Sequence, residues 1–196
     1  MRRLAVLTAA LTVSACSTFS SGPPPSRNYR LVYPVPAAET ATPLGIVRVG
    51  PFGTAQVYDR LPFVYRDGVY EVGIDNYNAW IAAPAGMLGD LLARDLAAAG
   101  IATAVLQGAS ALPADYELSG RIEEIEERPA GGCTAHLRVR ALFVHVQDKG
   151  PRQVIFEDTF ESDQPCTAGD PDSFAEAMSR AAESVSAQVR ARIAQK

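Results

Sequence analysis

The C-terminal segment constrains the fold more than any other part of the chain. Phe174, Met178, Ala181, Val185, Val189 and Ile193 recur at three- and four-residue steps. That spacing puts them on one stripe of an α-helix about five turns long. Asp172 or Ser173 is placed to cap it, and Ser173 with Glu176 fits the S-x-x-E capping box. A helix with a single apolar stripe must cover an apolar face elsewhere, and a sheet is the usual partner. The rest of the chain is therefore expected to build that sheet.

Strand signals are plentiful upstream. "LGIVRVGPF" (44–52) reads as a buried strand. "LPFVYRDGVYEVGIDN" (61–76) reads as a hairpin, with Asp67-Gly68 suited to a two-residue type I′ turn. "APAGMLGDLLARDLAAAG" (83–100) reads as a helix with Leu88, Leu91, Leu92, Leu96 and Ala99 on one face and Gly100 as its stop. "IATAVLQ" (101–107) gives a further short strand, and "DYELSGRIEEIEERP" (115–129) a long one. In the long strand Leu118, Gly120 and Ile122 share a face, and Ile125 then breaks the parity, which predicts a bulge. "TAHLRVRALFVHV" (134–146) and "QVIFEDTFES" (153–162) complete a meander. The expected fold class is α+β: a single domain with a mainly antiparallel sheet and two helices packed on one face.

Two cysteines, Cys133 and Cys166, flank that last hairpin. Folding about Lys149-Gly150 sets position i opposite position 299 − i, and the two cysteines satisfy that relation. Directly opposite Cβ atoms lie about 4.5–5.5 Å apart, slightly wider than a disulfide prefers. A disulfide is expected between them, against the alternative of two buried thiols.

The front of the chain carries a different signal. Met1, Arg2 and Arg3 precede an apolar run from Leu4 to Ala15. The run is too short to span a bilayer, which takes roughly 20 residues, and it has the flanks of a secretory signal peptide. It ends in Val13-Ser14-Ala15-Cys16, which resembles the lipobox of bacterial lipoproteins. The resemblance implies removal of residues 1–15 and lipidation of Cys16, with no other cofactor. It also implies a periplasm-facing envelope protein, and Ser17, where an aspartate would favour inner-membrane retention, favours the outer membrane. Residues 16–28, "CSTFSSGPPPSRN", are expected to be a polar, proline-rich tether. The domain proper is expected to span 29–196.

Composition narrows the function. The full chain has 18 basic and 22 acidic residues. Without residues 1–15 it keeps 16 of the basic ones, a net charge of −6. No basic stripe suggests nucleic acid. His136 and His145 lie nine residues apart in one strand and are expected on opposite faces. No nucleophile–base motif is present, and Asp158, Glu161 and Asp163 read as a solvated strand end. Glu123, Glu124, Glu126 and Glu127 are expected to pair across strands with Arg138 and Arg140 rather than to bind a metal.

The aromatic stretch 58–84 is the remaining candidate. It contains Tyr58, Phe63, Tyr65, Tyr70, Tyr77 and the sole tryptophan, Trp80. Most are expected in the core. Tyr77 and Trp80, with Tyr65 and Arg66, are the candidates for partner contact. "YDRLPFVYRDG…NYNAWIAAPAGMLGDLLARDL" is similar to the ABC-type transport auxiliary lipoproteins, as are the lipobox and the early Tyr29-Arg30-Leu31. Ala79, Ile81 and Ala82 depart from the charged residues that often flank the family's tryptophan. The resemblance implies a non-catalytic accessory to an ABC permease, an ATPase and an MCE-domain protein. Such systems move lipids or other hydrophobic substrates. A homo-oligomer is compatible with this reading. The alternative is a structural or assembly lipoprotein of the outer membrane without an ABC partner; a periplasmic hydrolase is a third class.

Overall fold

The computed structural model describes residues 25–40, 42–108, 112–129, 132–146 and 151–196. The signal peptide, Cys16 and most of the tether lie outside the described residues, as do Ala130 and the turn at Lys149-Gly150. Described in chain order are β1 (Arg27–Tyr29), β2 (Leu44–Thr54), β3 (Pro62–Arg66), β4 (Val72–Trp80), α1 (Pro84–Ala98), β5 (Ala102–Gln107), β6 (Tyr116–Arg128), β7 (Cys133–His145), β8 (Gln153–Cys166) and α2 (Pro171–Ala194). Arg27 and Asn28, expected in the tether, thus already belong to the sheet. Arg27 is held there by Asp172 at 2.7 Å.

The strands form one eight-stranded sheet, and β6 is its spine. Along one edge β6 pairs with β7 throughout, and β7 with β8. The other edge is shared: β2 bonds to its first half and β3 meets it at Tyr65↔Glu127. The sheet is mainly antiparallel, as expected, through β3–β4, β6–β7 and β7–β8, but it is mixed rather than purely antiparallel. β1–β4, β2–β5, β2–β6 and β3–β6 are parallel pairs. Parallel neighbours need a crossover, and α1 provides one by carrying the chain from β4 back to β5 beside β2. Hairpin signals in sequence reveal only the antiparallel pairs.

Both helices pack on the same face. All six residues of the α2 stripe are at most 2% exposed, and so are Leu88, Leu92, Leu96 and Ala99 of α1. Gly100 ends α1 with φ 69°, the left-handed conformation that glycine adopts without a Cβ clash. The cap of α2 differs from the expectation. Asp170, not Asp172 or Ser173, is the N-cap, accepting from the Asp172 and Ser173 amides. The Ser173 hydroxyl instead accepts from the Thr167 amide at 2.9 Å. With Pro171 at the first helical position, the helix starts two residues before the start that an Asp172 cap would give.

Asp95, buried on the apolar side of α1, ties three segments together. Its Oδ2 accepts from the Tyr33 hydroxyl at 2.8 Å and from Ser186 of α2 at 2.6 Å, while Arg94 bonds Oδ1. The N-terminal strap, α1 and α2 are thereby fixed to one another.

The β7–β8 register follows i + j = 299 from Cys133↔Cys166 to Phe143↔Phe156, and a bulge then shifts it by one. The disulfide is formed, with Cα atoms 4.9 Å apart. Replacing both cysteines by serine should lower the thermal midpoint by roughly 10 °C, from about 3–4 kcal/mol of lost loop-closure entropy. An unchanged midpoint under non-reducing conditions would contradict that assignment.

Candidate functional site

The sheet face away from the helices carries the polar chemistry. The predicted bulge in β6 falls between Ile122 and Glu124. It lets Ile122 and Ile125 both point into the core, and it brings Glu124 and Glu126 to the opposite face. Glu126 is fully buried there. Its Oε2 accepts from the Tyr58 hydroxyl at 2.6 Å, and its Oε1 meets Arg66 at 2.8 Å and Arg128 at 2.7 Å. Burial alone would raise the Glu126 carboxyl. The hydrogen bonds from Tyr58, Arg128 and Arg66 outweigh it and hold the group below its ordinary range. Burial, reinforced by Glu126, pushes the Tyr58 phenol up to about 12.

Around this centre the charges form a band. Glu124 pairs with Arg66 at 3.4 Å and also with Arg128. His136 Nδ1 lies 2.6 Å from Asp163, and Nε2 lies 3.5 Å from Glu124. Arg138 and Arg140 pair with Glu123 at 3.2 and 2.7 Å, and Arg138 reaches Glu124 at 3.8 Å, so the cross-strand expectation holds for these two acids, whereas Glu126 pairs instead with Arg66 and Arg128. His145 lies far along β7, its ring 5.0 Å from Tyr116. Asp158 is paired with Arg192 of α2 at 2.7 Å. Among the described residues, no three His, Cys, Asp or Glu side chains are grouped as a metal site would need. The band is an ion-paired lattice, and its best-satisfied member, Glu126, anchors the loop end of the β3–β4 hairpin through Arg66.

That hairpin differs from its sequence expectation. Arg66 pairs with Val72, which leaves a five-residue loop, 67–71, rather than a two-residue turn. Gly68 is not among the positive-φ glycines, so a type I′ turn is excluded. Val69 is 80% and Tyr70 98% exposed at its tip. Lower down, β4 bulges over Asp75–Asn78, where the Asp75 carboxylate accepts from the Tyr77 and Asn78 amides at 2.7 and 2.9 Å. Behind the tip is a recess of about 430 Å³ lined by Arg66, Gly68, Val69, Arg128 and Pro129.

The four candidates for partner contact separate. Trp80 is 2% exposed, so the expected surface role is corrected to a core role. Its ring lies 4.5 Å from Phe63 and 6.2 Å from Phe174, joining β3 and β4 to the first turn of α2. Tyr77 is 40% exposed on the bulge. Tyr65 lies across Gly73 of the neighbouring strand, where an added Cβ would come within 2.2 Å of its ring. Arg66 is partly exposed and holds Glu126 and Glu124. Sequence reasoning missed Glu126 as a buried group and Val69-Tyr70 as a tip. Glu126 sits within a run of acids that reads as solvated, and the tip carries no turn signal of its own.

The fold and the site define a class: a two-layer α+β domain whose open sheet face is closed by ion pairs and whose β3–β4 hairpin carries its most exposed apolar side chains, Val69 and Tyr70, at the tip. The chain belongs to the ABC-type transport auxiliary lipoprotein component family, whose family model matches residues 29–190. The protein XCC0632 from Xanthomonas campestris, of family-model DUF330, is similar in structure. It has a TM-score of 0.76 at 20% identity, over 87% of this chain and 97% of that one. An uncharacterised protein superposes with a TM-score of 0.61 at 16% identity, over 88% of this chain and 98% of its own. The hypothetical protein CT253 from Chlamydia trachomatis gives 0.52 at 12%, over 78% and 99%. At these identities the likenesses establish the fold alone. No curated protein sequence matches the chain.

Proposed function

We propose that this chain is a non-catalytic, periplasm-facing lipoprotein of an ABC-type transport system that moves lipids or other hydrophobic substrates across the bacterial envelope. The family match over residues 29–190 carries the reading. The sequence Val13-Ser14-Ala15-Cys16 supports an acyl anchor on Cys16, and Ser17 supports the outer membrane. No helix of the described residues is long and apolar enough to cross a membrane, which fits attachment through lipid. The partners are an MCE-domain protein, an ABC permease and its ATPase. The energy for transport comes from that ATPase, and this domain supplies a positioned surface.

Two experiments test the reading. Wild-type chain should take up radioactive palmitate and Cys16→Ser should not; equal labelling of both would remove the anchor. Crosslinking in native envelope should recover the permease and ATPase with this chain. Recovery of an outer-membrane barrel protein in their place would favour an assembly lipoprotein.

A further inference from the structure

The chain enters the domain alongside the tip-bearing hairpin. β1 runs parallel to β4, with Arg27 beside Asn78 and Tyr29 beside Trp80. The Ser26 hydroxyl reaches the Tyr77 carbonyl at 3.4 Å. Traced backwards from Arg27, the chain therefore heads toward the 67–71 loop. Cys16 and Pro25 are nine positions apart in the chain. That stretch reaches at most about 30 Å when extended. The five steps from Val72 to Tyr77 cover no more than about 17 Å of strand. An anchor at Cys16 can thus sit in a membrane that the hairpin tip touches.

The tip has the chemistry of an interfacial contact. Val69 and Tyr70 are nearly fully exposed, and Val72, Ile74 and Tyr77 continue the apolar side chains along β4 at 40–43% exposure. Tyrosine places an apolar ring and a polar hydroxyl at the level of lipid headgroups. Asp67 and Glu71 flank the tip and limit how deeply it can enter. Arg66 and Arg128 line the recess under Val69, where their pairing with Glu124 and Glu126 holds the root of the loop in place. A protein partner is a poorer fit. The two tip side chains offer at most about 400 Å², whereas a stable protein contact buries about 800 Å² per side. A membrane contact needs no such area when an acyl chain already holds the tip at high effective concentration.

We infer that the 67–71 loop is a membrane-docking tip, inserting Val69 and Tyr70 into the headgroup region of the bilayer that holds the acylated Cys16. The inference rests on the anchor proposed above. It orients the domain with the loop end of β3 and β4 toward the lipid.

The test uses full-length lipidated protein with a single added cysteine, Tyr70→Cys or Ile81→Cys, labelled with an environment-sensitive fluorophore. Ile81 is 60% exposed and follows the far end of β4. With Cys16 acylated and Cys133 bonded to Cys166, the added thiol is the sole labelling site. The protein is placed in phosphatidylethanolamine–phosphatidylglycerol vesicles containing doxyl-quencher lipid. The tip probe should shift to the blue and lose most of its emission, while the Ile81 probe keeps the spectrum it has in water. A floating, singly labelled chain whose tip probe stays unquenched would overturn the docking tip and leave the anchor intact. The same holds if the tip probe crosslinks to a second copy or a protein partner while remaining unquenched. A chain that takes two labels and fails to float would overturn the anchor, and the docking tip with it.

Discussion

Trp80→Ala should cost about 3–5 kcal/mol, the range for removing a large buried aromatic side chain. Domains of this size are stable by about 5–15 kcal/mol, so much of the total is lost. The cause is local. Trp80 packs against Phe63, which in turn lies 5.0 Å from both Tyr29 and Phe174. Removing the indole opens a cavity where β1, β3 and β4 meet α2. Denaturant unfolding followed by far-UV dichroism measures the loss, and Trp80→Phe should recover most of it. In the wild type, the single tryptophan should emit in the blue when folded and shift red on unfolding. A stable Trp80→Ala variant that loses only partner binding would contradict the core assignment.

Glu126→Ala should cost about 3 kcal/mol, because it leaves Tyr58, Arg66 and Arg128 facing a site with no acceptor. Arg66 and Arg128 retain Glu124 and partial solvent contact, which keeps the effect at the low end of the range for broken buried pairs. The loss should depend on pH. Glu126 is held below its ordinary value near 4.5 in the folded state. Its contribution is therefore present above about pH 4.5 and fades as pH falls through the lower folded value. The stability gap between wild type and Glu126→Gln should be largest at neutral pH and narrow on acidification. A gap that stays constant from neutral pH to well below the ordinary value of 4.5 would contradict the paired, ionised carboxylate.

Much of the fold was legible because its signals are local and repetitive. The α2 stripe, the α1 leucines and the 299 register of β7 and β8 each depend on spacing within one or two segments. The β6 bulge was visible as a parity break between Ile122 and Ile125. The parallel pairings were not legible, since nothing in β2 or β5 records that α1 brings them side by side. Buried charge was hidden for a related reason. Asp95 and Glu126 look like ordinary surface acids until Tyr33, Ser186, Tyr58 and Arg66 arrive from distant positions. Trp80 misled in the other direction. A lone tryptophan before a helix suggests a contact surface, yet Phe174, nearly a hundred residues later, covers it. The hairpin kept its two strands but not its turn, because the register places the reversal at Val69 rather than at Asp67-Gly68.

The central claim is that this domain works as an accessory to an ABC transporter. Its most direct test is capture of the full-length chain from crosslinked native envelope, followed by identification of everything recovered, with Cys16→Ser as the parallel sample. The account predicts an ABC permease, its ATPase and an MCE-domain protein in the wild-type capture and their marked loss when the anchor is removed. Capture that contains no transport component in either sample would contradict it.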